Sequence, residues 1–403
     1  GTNSKYQNKP LWSVGGSWNI YKEKFFQADF VDMLKLRASY GIGGNIGRNT
    51  APYLIASYYD SSLVDGMAGS VNTPPNKDIR WEKTTTVNVG VDFALFRHRL
   101  SGTIEYYNKY SVDLLAAING SPTQGFGYTT LMTNNGKMVN RGVEITLSGE
   151  IIRQKDFSWN ASLLYAFNRN KVKHISVQPS LWDSRISMPT SYPMVGKPLY
   201  GIYAYKWAGL NENGDPQVYD AENNVTSGPA RDYHALVYCG TTVPIHNASL
   251  TNVLRYKGFE FSAMLILDAG HKLRSSNIPS INMSNGRITS TAKGIVDRWT
   301  QPGDVTDVPR LLFSNDTENF NTHRTELYRY SDLFVYDASN IRLSNISLAY
   351  RVPAHWCKKI SLSGARLQFN VENVATFAFD SKANYDLGGK VKPNYVWGLY
   401  LNF

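Results

Sequence analysis

Apolar and polar residues alternate at every second position along runs longer than ordinary strands, and this alternation is the feature that most limits what the chain can form. Trp12, Val14, Gly16, Trp18 and Ile20 oppose Ser13, Gly15, Ser17 and Asn19. Leu34, Leu36, Ala38, Tyr40 and Ile42 oppose Lys35, Arg37, Ser39 and Gly41. Val87, Val89, Val91, Phe93 and Leu95 oppose Asn88 and Asp92, and Leu100, Ile104 and Tyr106 oppose Ser101, Thr103, Glu105 and Tyr107. The same period runs through 139–148, 157–168, 246–256, 259–269, 339–350, 360–373 and 392–403. Side chains of a strand alternate between two faces, so each run has one greasy and one wet face. Globular strands average five or six residues, and several of these runs exceed ten; a long strand with one continuous apolar stripe suits a tilted wall crossing a bilayer.

Composition excludes the main alternatives. Aromatics are 13% of the 403 residues, too much ring surface for a disordered chain. A spanning helix needs roughly 20 apolar residues in a row, and the longest pure run lies near 263–267. The mean hydropathy of −0.34 is that of strands wetted on one face.

The connections fall into two length classes that alternate. Short ones lie at 21–30, 96–98, 152–156, 257–258 and 351–359; long ones at 43–80, 112–138, 170–245, 270–338 and 374–391. Short turns at one end and long loops at the other is the layout of an outer-membrane β-barrel, short periplasmic and long extracellular. The segment 198–207 also reads as a strand. Counting it as a spanning strand would put the two-residue turn at 257–258 on the long-loop side, so it is assigned to a local strand inside the excursion 170–245. The count is then about 11 spanning strands, and an odd number does not close a single-chain bacterial barrel. Partner strands are therefore expected upstream of Gly1, making residues 1–403 a C-terminal part of a barrel. Tyr395, Trp397, Leu399, Leu401 and Phe403 occupy alternate positions of the last run and end on an aromatic, the pattern by which barrel-assembly machinery engages a final strand.

The formal net charge is +10, which invites an anionic partner. No basic block longer than Lys358-Lys359 occurs, so nucleic acid is not expected. Two cysteines, Cys239 and Cys357, are too few for a disulfide scaffold, and the topology puts them on opposite sides of the membrane, unbonded to each other.

Several segments resemble the SusC/RagA family of TonB-dependent transporters from Bacteroidota. LKLRASYG at 34–41 is followed by Gly44 and Asn45; IRWEKT at 79–84 is followed by NVGVDF at 88–93; RLSGTIEYYNK at 99–109 is followed by DLL at 113–115. NNG at 134–136 precedes NRGVE at 140–144, and DASNIRLSNISLAY covers 337–350. Each is weak alone; five in order are specific. The resemblance implies an integral outer-membrane protein of a Gram-negative bacterium, with a 22-stranded barrel of which this chain is the second half. It implies an N-terminal plug absent from this chain, opened by TonB with ExbB and ExbD, and a SusD-like surface lipoprotein as lid. It implies import of oligosaccharides or oligopeptides. Family members often carry an Asp-rich stretch; here 211–216 and 220–228 are acid-poor, so a solvated turn-rich loop is expected ahead of a calcium site, and otherwise no cofactor.

No catalytic constellation is present. His234, Cys239 and His246 match no zinc spacing, Asp304 and Asp307 have no identifiable partner, and no nucleophile elbow or phosphate loop occurs. The chain is not expected to be an enzyme. Tyr200, Tyr203, Tyr205, Trp207 and Trp299 in the two longest loops read either as contacts for a partner or substrate or as small loop cores. Lys35 and Arg37 face inward as candidate bases for acidic peptides, rim bases suit lipopolysaccharide, and loop aromatics suit sugar rings. A passive porin or structural surface barrel, and an outer-membrane enzyme, are the alternative readings.

Overall fold

A computed structural model describes residues 8–47, 52–62, 66–119, 123, 130–179, 183–228, 232–279, 281–284, 287–311, 324–387 and 392–403. Parts of all five long connections lie outside these residues. Eleven strands pair in sequence order into one antiparallel sheet. They are β1 (Trp12–Asn19), β2 (Val31–Asn45), β3 (Glu82–Leu95), β4 (Leu100–Asn119), β5 (Thr130–Arg153), β6 (Phe157–His174), β7 (His246–Tyr256), β8 (Phe259–Ala269), β9 (Asn340–Arg351), β10 (Gly364–Ala378) and β11 (Asn394–Asn402). The eleven correspond one to one with the strands expected from the alternation. The segment 198–207 contributes Gly201–Tyr205, which pairs with Leu236–Thr241 and stays outside the large sheet.

Register carries the greasy stripe across the whole sheet. Trp18, Leu36, Val91, Ile104, Ile145, Tyr165, Ala248, Leu267 and Ile341 lie opposite one another in turn, from β1 to β9. One step toward the short turns, Leu147, Leu163, Leu250, Leu265 and Leu343 form an unbroken leucine row over β5–β9. A one-residue slip would turn any strand inside out, so pairing and burial enforce each other. Aromatic rings flank the row. At the short-turn end Trp18 meets Phe25 at 6.1 Å, Phe30 stacks on Phe96 at 5.8 Å and Phe259 meets Tyr350 at 4.5 Å. Toward the other end Tyr165 hydrogen-bonds His246 at 2.8 Å and Trp12 meets Tyr40 at 5.6 Å. An apolar band between two aromatic girdles is the outer surface of a transmembrane barrel. Within this face the Asn252 amide oxygen accepts from the Trp159 indole N–H at 3.1 Å.

The structure departs from the sequence reading at 112–138. Most of this connection is strand: β4 runs to Asn119 and β5 starts at Thr130. A bulge hides the alternation. Asp113 has φ +57°, the register shifts between Ser111 and Leu114, and Arg80 clamps the Asp113 carboxylate at 2.8 Å. β5 has 24 residues, about 80 Å at 3.3 Å each, whereas a bilayer needs about ten. The outer parts of β4 and β5 therefore stand clear of lipid at the long-connection end.

Candidate functional site: the polar wall and the loop platform

The face opposite the greasy stripe is polar and internally paired. Short turns fix its register: the turn 96–98 sets Leu95 against Leu100, which puts Asp92 beside Thr103 and Gly90 beside Glu105. Arg37 from β2 lies across Gly90, where a Cβ would come within 3.0 Å of its guanidinium. It donates to Asp92 at 2.9 and 3.1 Å and to Glu105 at 3.1 Å. Thr103 donates to Asp92 at 3.0 Å, and Asn88 donates to Glu105. On β4 the Tyr107 ring covers Gly142 so closely that any side chain there would overlap it. Farther along, Arg342 meets Asp268 at 2.9 Å, and Glu260 meets both Arg255 and Arg366.

This corrects the expectation for Arg37: it sits on the polar face but is held by two carboxylates, so it does not present free positive charge. Lys35 shares that face, opposite Asp92 in the ladder. Asn88, Asp92 and Glu105 were legible as polar-face residues; their convergence on Arg37 was not.

At the long-connection end, segments from 170–245 and 270–338 pack together. Tyr203, Tyr205, Val218, Ala235, Leu236 and Leu327 form a buried core to which both excursions contribute. Tyr205 pairs in parallel with Ser331, and Arg274 donates to the Tyr203 carbonyl at 2.6 Å. Asp215 receives Arg324 at 2.6 Å and Arg310 at 3.2 Å, with all three side chains at most 20% exposed. The five loop aromatics divide accordingly. Tyr203 and Tyr205 are 1% and 0% exposed and hold the core, so they are not contact surface, and burial pushes the Tyr205 phenol well above its ordinary range. Trp207 is half-buried, donates to Asp307 at 2.9 Å and meets Tyr328 at 5.7 Å. Trp299 lies over Gly214, whose φ of +73° and lack of a side chain permit that approach. Only Tyr200 of the five is exposed, at 46%.

The remaining candidates are dispersed. Asp215 is occupied by guanidinium groups, and Asp220 accepts from the backbone of Glu222 and Asn224 in its own turn. His234 bonds Asp232 and His246 bonds Tyr165; Cys239 joins neither. No metal-capable cluster occurs among the described residues. Cys239 lies in the platform strand Leu236–Thr241, where burial pushes its thiol up to about 11, and Cys357 lies in the helix Ala354–Lys358 at the short-turn end; both are free. Tyr395, Trp397, Leu399 and Leu401 share the apolar face of β11, opposite Val371, Phe369, Leu367 and Ala365, and Phe403 follows the strand.

The platform is anchored to the wall by Lys272–Arg274 pairing with Val335–Asp337. Burial alone would raise Asp337, but bonds from Ser339 and from Lys272 at 3.0 Å hold its carboxyl down to about 2. A depressed carboxylate stabilises the folded form above its unfolded value of about 4 and loses this as pH falls through its folded value. Amide protection of this strand pair, read by hydrogen exchange corrected for intrinsic rate, is expected to persist at pH 5 and to fall toward pH 2. Lys272→Met is expected to move the loss to higher pH.

Residues 1–374 match the family described as TonB dependent receptor-like, beta-barrel. TonB-dependent receptor P3 of Formosa agariphila is 27% identical over 98% of this chain and 40% of its own length. TonB-dependent receptor SusC of Bacteroides thetaiotaomicron is 25% identical over 92% of this chain and 37% of its own length. Among solved structures, the RagAB peptide transporter superposes with a TM-score of 0.78 at 24% identity, over 100% of this chain and 44% of that one, which establishes likeness of fold. The chain spans about two fifths of the length of these relatives.

Proposed function

The chain belongs to the TonB-dependent receptor-like β-barrel family and is an integral part of an outer-membrane wall, and from this premise we propose that it serves an active importer of oligopeptides or oligosaccharides. The carrying observation is the register of the eleven strands, which keeps one face apolar and the other polar; in this reading the first meets lipid and the second lines a wet passage. A barrel this wide must be plugged. In this reading the plug and the first barrel half are supplied by another part of the same transporter, and TonB with ExbB and ExbD works through that plug. The platform built from 170–245 and 270–338 is extracellular, and a SusD-like lipoprotein seats on it as a lid. Lipopolysaccharide phosphates meet basic side chains at the outer rim. The family is one of receptors, and no enzymatic activity is assigned.

Oligopeptides are the first reading. Four of the five loop aromatics that would stack on sugars are consumed in the platform core or engaged by neighbours, whereas the wall offers paired charges and amides that suit peptide groups. Oligosaccharides remain the second reading, through exposed Tyr200 and half-buried Trp207. The test is uptake of labelled oligopeptides and malto-oligosaccharides by cells with and without the receptor, in backgrounds with and without TonB. Peptide uptake lost in both deletions is the expected result. Uptake that survives loss of TonB would make the barrel a passive porin.

A further inference from the structure

At the short-turn mouth of the polar face, a cavity of about 150 Å³ is lined by Arg255, Lys257, Arg351 and Arg366 with one carboxylate, Glu260. We infer that this cavity is an oxyanion site that binds a carboxylate, or a sulfate or phosphate group of the same size and charge. Glu260 is already divided between two cations, its Oε2 accepting from Arg255 at 2.7 Å and its Oε1 from Arg366 at 3.1 Å. Arg351 lies directly opposite Arg366 in the β9–β10 ladder. Like charges directly opposed across a ladder destabilise it unless an anion lies between them. Lys257 borders the cavity from the two-residue turn before β8, where it takes φ +52°; its N–H bonds the Asp156 carbonyl, and the neighbouring Gly258 carbonyl accepts from the Arg351 N–H at 2.8 Å. The Lys257 ammonium rests 5.3 Å from the Tyr256 ring, and no carboxylate meets it or the Arg351 guanidinium among the described residues.

Charge selects the ligand, and the cavity has room for one oxyanion group together with water. Guanidinium forks match carboxylate and sulfate oxygens in pairs. Under the proposed topology the site lies at the periplasmic exit, where it would receive the carboxylate of a departing peptide or of an adjoining protein segment. Binding itself does not depend on the import reading.

The test uses the full receptor containing this chain, purified in detergent. Equilibrium dialysis with radiolabelled sulfate at constant ionic strength is expected to give one saturable site, weakened at least tenfold by Arg351→Gln and by Lys257→Gln. Carbodiimide coupling followed by mass spectrometry separates the two sources: a Lys257 cross-link to a carboxylate other than Glu260 identifies a protein segment as occupant and accounts for a site closed to sulfate. Failure to bind sulfate, together with Lys257 coupling to Glu260 or to nothing, overturns the inference. Sulfate binding that survives both substitutions overturns it too.

Discussion

Leu250→Arg is expected to destabilise the barrel by about 2–4 kcal/mol, whereas Thr251→Arg, one residue along the same strand, is expected to change stability little. Leu250 stands in the middle of the leucine row, between Leu163 and Leu265, six residues from the aromatic Tyr256 at the short-turn rim. Six residues of a strand tilted near 45° rise about 14 Å, which places it near the midplane of an apolar band about 25 Å tall. A guanidinium there has no water and no acid within the leucine row. Thr251 points the other way, between Ser162 and Met264, onto the wet face where arginines are already accommodated by acids. Urea unfolding in lipid vesicles, together with the amount of folded protein in outer membranes, reads the difference. Equal effects at the two positions would refute the assignment of faces, and the import proposal would fall with it.

That contrast also marks what the sequence made legible. The eleven strands and their two faces follow from period-2 alternation, and the parity of connection lengths puts 198–207 outside the wall. Register was legible only across the tightest turns. The turn at 257–258 fixes Tyr256 against Phe259, and the turn at 96–98 fixes Leu95 against Leu100. The long connection 43–80 between β2 and β3 leaves their register open, so the meeting of Arg37 with residues 55 and 68 positions away was hidden. The bulge at Asp113 shifts the phase of the alternation, which concealed the outer parts of β4 and β5. The platform was the least legible part. The sequence GIYAY at 201–205 alternates like a half-exposed strand, yet all five residues are buried, because the excursion 270–338 and residues 235–236 cover what an isolated hairpin would leave open.

Asp215→Ala is expected to loosen that platform by about 3–5 kcal/mol while leaving the wall intact, because it strands two guanidinium groups in a poorly solvated place. Arg324 and Arg310 come from the other excursion, 11% and 20% exposed, and the carboxylate of Asp215 is their common acceptor. Burial already presses the Arg324 guanidinium toward its neutral form, and its bond to Asp215 offsets this. Arg324 also donates to the Gly214 and Arg310 carbonyls at 3.2 and 2.6 Å, so losing the acid leaves a cation tied to the backbone with its charge unmatched. Hydrogen exchange should show lost protection in Pro216–Tyr219 and Arg324–Arg329, with unchanged protection in β5–β8. A triple variant, Asp215→Leu with Arg310→Met and Arg324→Met, removes the charges together and is expected to recover much of the loss, since apolar replacement of a buried ion cluster is often neutral or better. If Asp215→Ala leaves the platform as protected as before, the triad does not join the two excursions, and a lid partner would be meeting two independent loops in place of one surface.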